Sequence, residues 1–203
     1  MSDPKINSLL DEANRLFLKH KFTKAIRYYD QILSENPTHL SSLNNKGYAL
    51  SKLKDFENAL KCYDDALEVF PNDLSVLINK ISSLRKTKKF EESLEICDKI
   101  LEKNPKYNIA LYHRERILFS LGKYKESIRC CDKILEDYPK NEDVLFDKSC
   151  SLVMNSEIDQ SLQILEFVIN QNSKFRSKAA KSKCFEQLND NPKFQELISN
   201  QSQ

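Results

Sequence analysis

Two glycines in 203 residues, Gly47 and Gly122, leave little room for glycine-dependent chemistry. A phosphate-cradling loop or a dinucleotide-binding turn needs clustered glycines, so that backbone amides can approach the phosphates closely. Long apolar runs are equally scarce, and none approaches the roughly 18 to 20 residues that a membrane-spanning helix requires. Alternating β-branched stretches are missing too, which argues for an all-helical chain. The opening MSDPKINSLL has no basic stretch followed by an apolar one, so no secretion signal is expected and the cytoplasm is the expected compartment. Charge of one sign is absent as well. Thirty-two basic residues against thirty acidic ones leave a net charge of +2, below the excess usual in a nucleic-acid binder.

The six cysteines (Cys62, Cys97, Cys130, Cys131, Cys150 and Cys184) include no CxxC pair, and the three histidines are scattered. Zinc-ligand spacing is therefore missing, and neither a metal nor a cofactor is expected. Buried thiols acting as small hydrophobes account for the cysteines better than redox chemistry does. No nucleophile sits in a recognisable turn motif and no motif places paired carboxylates, so the chain is not expected to be an enzyme.

What is present is a period. Pro37, Pro71, Pro105 and Pro139 lie 34 residues apart. Leu9, Leu43, Leu77, Leu111 and Leu145 follow the same spacing, as do Phe22, Phe56, Phe90, Tyr124 and Ile158. A period of this length signals a solenoid or array. Within one period, Leu43, Gly47 and Leu50 share one helical face, and Phe56, Ala59, Leu60, Tyr63, Ala66 and Leu67 share another. Asp55 is the expected N-cap of the second helix, and Pro71, which lacks an amide proton, ends it. Asp3 and Pro4 are expected to open the first helix of the chain.

The unit is a helical hairpin. The sequence predicts five of them, at 6–39, 40–73, 74–107, 108–141 and 142–175. A capping helix at about 176–189 and a short helix with a frayed tail at 190–203 complete a single domain, 1–203. Basic runs at 85–89 and 174–183 are expected to be a solvated loop and the wet face of an end helix.

The 34-residue period and the pattern Leu43, Gly47, Leu50, Phe56, Ala59, Tyr63, Ala66, Pro71 resemble the tetratricopeptide repeat family over nearly the whole chain. The resemblance implies a right-handed α-α superhelix. Two departures stand out: Ile81 and Glu115 occupy the small-residue position of Gly47, which predicts wider helix spacing there. Glu115 is expected to be partly exposed or paired with a base such as Arg114 or Lys148.

In such an array the first helix of each hairpin lines a concave face. The resemblance places a peptide-binding groove there, at Asn14, Asn45, Tyr48, Asn79, Tyr112, His113, Arg116, Phe119, Phe146 and Asp147. Asparagine amides both donate and accept, and so can hold a peptide backbone whatever its sequence, while exposed aromatics supply pockets. The family's chaperone-tail clamp uses lysines and an arginine where this chain has Leu10, Ser75 and Asn79; no carboxylate clamp is expected. The expected function is a protein-interaction adaptor that takes a peptide or helix in this groove. The alternatives are a self-associating or assembly-docking scaffold, with Phe70 and Tyr138 as outer-face contacts, and an RNA-binding repeat.

Overall fold

The computed structural model describes residues 4–199; Asp3 and the tail at 200–203 lie outside the described residues. The chain divides into two compact units, Met1–Ile100 and Leu101–Gln203.

In the first unit, α1 (Pro4–Leu18) pairs with α2 (Phe22–Glu35), and α3 (Leu40–Lys52) with α4 (Phe56–Val69). Then come α5 (Leu74–Lys86) and α6 (Phe90–Lys103), whose last residues cross the unit boundary. One core cluster gathers Ala13, Leu16, Ala25, Tyr29 and Ile32 inside the first hairpin. A second joins Leu43, Leu50, Ala59, Tyr63 and Ala66 to Val76 of the next helix, so the second hairpin completes its burial against the third.

The second unit continues the pattern with α7 (Asn108–Ser120), α8 (Tyr124–Asp137), α9 (Glu142–Met154) and α10 (Ile158–Gln171). In place of the one capping helix expected at about 176–189 stand α11 (Lys174–Ala180) and a 3-10 helix (Lys183–Leu188), and α12 (Pro192–Ser199) follows in the stretch where a short helix was expected. Geometry explains the break. In one continuous helix Phe185 would point about 240° around from Ala179, yet both are buried. The extended backbone of Ser182 turns the chain so that both reach the same core.

Each hairpin turns in one way. His20, Lys54, Lys88, Gly122 and Ser156, spaced by the repeat, all have positive φ, between 55° and 73°. The amide of the following residue reaches back to the last turn of the first helix, as Asp55 does to Leu50 at 2.9 Å and Glu157 to Leu152 at 2.8 Å. The amide of the left-handed residue itself makes the shorter reach, as Lys54 does to Ser51 at 3.1 Å. These paired bonds form a Schellman ending, which satisfies carbonyls that the helix leaves open. At the other ends, His39, Asp73 and Asn141 accept from the third residue of α3, α5 and α9, and Asp55 does the same for α4, as expected.

Gly47 allows close approach of α3 and α4. A Cβ there would sit 2.5 Å from Cε1 and 2.9 Å from Cζ of the fully buried Tyr63. Where the sequence replaces the glycine by Ile81 or Glu115, the position of Tyr63 holds a buried Cys97 or Cys131. The bulk moves from one helix to the other, so the larger first-helix side chain meets a smaller partner position. Glu115 is buried, not partly exposed; its Oε1 accepts from Ser127 Oγ at 3.1 Å. Lys148, one base considered for it, pairs with Asp132 at 2.6 Å instead.

Cysteine chemistry also differs from expectation. Cys62, Cys97, Cys130 and Cys131 are buried and stand outside any disulfide. Cys150 on α9 and Cys184 on the 3-10 helix form a disulfide, with Cα atoms 5.5 Å apart. The pairing depends on the cap folding back over α9, which sequence spacing alone does not reveal.

Candidate functional site

The ten groove residues divide between the units, and each face is described by itself.

In the first unit, Asn14 of α1, Asn45 of α3 and Asn79 of α5 project from first helices, all half-buried. The Asn45 amide donates to Asn14 Oδ1 at 3.2 Å, and the Tyr29 hydroxyl donates to the same oxygen at 2.9 Å. Asn79 donates to Asn44 Oδ1 at 2.9 Å, and Asn44 donates to Ser75 Oγ at 3.1 Å. The asparagines thus bridge neighbouring first helices. A carboxamide has capacity for about four hydrogen bonds, so each retains some for a ligand. Burial pushes the Tyr29 phenol up to about 12 against the opposing effect of Asn45, which keeps it a neutral donor. Burial raises the Tyr63 phenol as well, against Ser51 and Ser83.

Tyr48 packs on Phe17, with ring centroids 5.2 Å apart, and Lys52 Nζ lies 4.9 Å from its ring centre. Beside it opens a cavity of about 440 Å³, lined by Tyr48, Ser51, Lys52, Lys54, Phe56, Tyr63, Asn79, Ser82, Ser83 and Lys86. Of the four groove residues in this unit, Tyr48 and Asn79 line the cavity, while Asn14 and Asn45 form the bridge beside it. Lys54 and Lys86 line the cavity from outside the family's groove positions: Lys54 sits in the turn after α3, and Lys86, part of the basic run 85–89 expected to be a solvated loop, ends α5.

In the second unit the face is more closed. Arg116 lies over the Tyr112 ring, 5.0 Å from its centre, contacts the Tyr112 hydroxyl and comes within 4.0 Å of Asp147. Phe119 meets Tyr124 edge-on at 5.5 Å, and His113 stands 6.4 Å from Tyr112. Burial raises the Asp147 carboxyl above its ordinary range, against the lowering effect of Arg116 and Lys178. Phe146 departs from the expected exposure. It is 3% exposed, packed on Phe175 and Phe185 of the cap and covered by Lys178 at 4.2 Å. Cys150 and Val153 are buried beside it, so the cap occupies this part of the α9 face. The basic run at 174–183 is partly used there, since Lys178 also pairs with Asp143 at 3.3 Å.

Consecutive helical hairpins whose first helices carry a polar and aromatic face define a helical-repeat protein. The tetratricopeptide repeat model matches residues 41–73, and the protein prenyltransferase alpha subunit repeat model matches residues 90–121. Among solved structures, a tetratricopeptide repeat protein from Parabacteroides merdae is similar at 20% identity and a TM-score of 0.81, over 90% of this chain and 73% of that one. MamA from Desulfovibrio magneticus RS-1 aligns at 16% identity and a TM-score of 0.79, over 90% of this chain and 100% of that one. YrrB, a TPR protein with an unusual peptide-binding site, aligns at 16% identity and 0.70, over 86% and 91%. No curated relative matches at the sequence level. Residues 41–73 thus match a tetratricopeptide repeat, and the chain shares the helical-hairpin fold of these tetratricopeptide repeat structures. Among the described residues no helix is long and apolar enough to cross a membrane, and no cluster of His, Cys, Asp and Glu is suited to hold a metal ion.

Proposed function

We propose that this chain is a cytoplasmic protein-interaction module, acting as a single domain, that takes a peptide or helical segment of another protein on its first-helix face. The observation that carries the reading is the open cavity of about 440 Å³ beside the asparagine bridges and Tyr48 in the first unit. It combines a ring face with amide donors and acceptors, the pairing that lets a peptide be gripped by its backbone and anchored by a side chain. YrrB offers a precedent for peptide binding on this fold. Binding rather than catalysis is proposed, because the sequence places no nucleophile in a recognisable turn motif and no paired carboxylates.

The test is affinity capture from source-cell lysate, with a variant carrying Asn45→Ala, Asn79→Ala and Tyr112→Ala as the control. Partners lost with the folded variant support groove binding; partners retained refute it. Self-association is the second reading. Its support is the exposure of Phe70 and Tyr138, 40% and 55%, at helix ends just before their prolines. Recovery of the protein alone, with a larger mass in sedimentation, would favour that reading.

A further inference from the structure

We infer that the cavity of the first unit selects acidic side chains: its occupant is a partner segment carrying glutamate or aspartate. The inference rests on the groove reading above and adds the chemistry of the partner. Three cations rim the cavity, Lys52 at the end of α3, Lys54 in the turn after it and Lys86 at the end of α5, and all three are exposed. None of the lining residues is acidic. Among the described residues, these three lysines have no carboxylate within ion-pair distance. Other lysines of the same helices are neutralised by the fold: Lys46 pairs with Asp30 and Lys80 with Asp64, each at 2.6 Å. On α3 and α5, therefore, the lysines left without a carboxylate are the two at the cavity.

Deeper in, Asn79 and Ser82 offer neutral donors, and the Tyr48 ring forms one wall. The volume falls within the range of roughly 300 to 1,000 Å³ typical of ligand sites, room for side chains and not for a folded domain. Carboxylates entering here would gain charge-assisted hydrogen bonds from the rim. A single-stranded nucleic acid is a poorer match, because it needs a series of free ring faces. The Tyr48 ring is already covered by Lys52 on one side and packed on Phe17. Of the clamp positions Leu10, Asn14, Asn45, Ser75 and Asn79, only Asn79 lines the cavity, and its side chain is neutral; the charge here comes from the rim lysines, so recognition of internal acidic side chains is distinct from a clamp on a chain terminus.

Isothermal titration calorimetry tests this with an N-acetylated, C-amidated peptide alternating Glu with Leu and Ser. Its Gln counterpart, the free-carboxylate version and an oligouridylate are titrated alongside. Expected are binding of the amidated Glu peptide that weakens with added salt, binding of the Gln peptide weaker by about tenfold or more, and a similar loss for the Glu peptide on a Lys52→Glu, Lys86→Glu variant. A Lys52→Arg, Lys86→Arg variant, equally exposed and charged, should retain the affinity. The inference is overturned if the Gln peptide binds equally, if charge reversal changes nothing, or if the Glu peptide fails to bind. Preference for the free carboxylate or for oligouridylate also overturns it. Failure here leaves the groove reading standing wherever lysate partners are still lost with the Asn45, Asn79 and Tyr112 variant; the two ideas fall separately.

Discussion

Gly47→Ala is the sharpest probe of how the hairpins pack. On an exposed helix this change stabilises by about 1 kcal/mol, because alanine restricts the unfolded backbone and favours helix. In α3 the new methyl would lie 2.5 Å from Cε1 and 2.9 Å from Cζ of Tyr63. The ring is fully buried against Ala59, Ala66 and Val76, so it has no solvent to swing into. Overpacking of this kind costs about 1 to 3 kcal/mol, which outweighs the helix preference and leaves a net loss of up to about 2 kcal/mol. Urea denaturation followed by circular dichroism would measure it. A matched pair extends the test: Gly47→Ile alone should be severely destabilising, while Gly47→Ile with Tyr63→Cys copies the third hairpin and should recover much of the loss. A stabilised Gly47→Ala, or additive single effects in the pair, would refute the close-packing account.

Four further outcomes are expected. Lys88→Gly should stabilise by about 0.5 to 1 kcal/mol, since it relieves a left-handed residue at φ 61°, and Gly122→Ala should cost about 1 to 2 kcal/mol; thermal melts decide both. Asp147→Asn should raise the urea midpoint at neutral pH, because the buried carboxyl has a raised folded pKa and its ionised form is disfavoured. That advantage should vanish as the pH falls below the ordinary carboxylate range, near about 4. Under native, non-reducing conditions none of the six cysteines should react with iodoacetamide, and reduction with unfolding should expose all of them by mass spectrometry; early labelling of Cys131, whose thiol burial pushes up, would contradict its core placement. Tyr63→Ala should cost about 3 to 5 kcal/mol and Asn45→Ala far less, as equilibrium unfolding will show; equal losses would mean that the faces are misassigned.

The repeat was legible because stacking forces the same burial at the same register. Leucines, aromatics and prolines at 34-residue spacing therefore announced the helices and their ends. The turn geometry was not. His20, Lys54, Lys88 and Ser156 are unremarkable in composition, and only their backbone bonding reveals a left-handed ending that glycine occupies once, at Gly122. The exchange of bulk was readable in principle, since Tyr63 gives way to Cys97 and Cys131 in the very hairpins where Gly47 gives way to Ile81 and Glu115. Reading one position at a time suggested wider spacing. Phe146 was placed by register on the open face, but the cap, which has no repeat of its own to betray its course, returns over it and bonds to Cys150 beside it. Lys54 and Lys86 were not counted with the groove, because the family positions lie in the middle of the first helix and these residues sit at its end and beyond; Lys86 stood out only as part of the basic run 85–89.

The exchange between Gly47–Tyr63 and Ile81–Cys97 bears on how such a chain can change over generations. Each hairpin balances its own side-chain volumes between its two helices. A duplication or deletion that copies or removes a whole hairpin preserves that balance, whereas recombination inside a hairpin would bring isoleucine against tyrosine or glycine against cysteine. On this account crossovers should be tolerated in the segments joining one hairpin to the next, such as 36–39 and 70–73, and should be costly at the turns within them. The inheritable unit of this fold is the pair of helices, and its two members drift together.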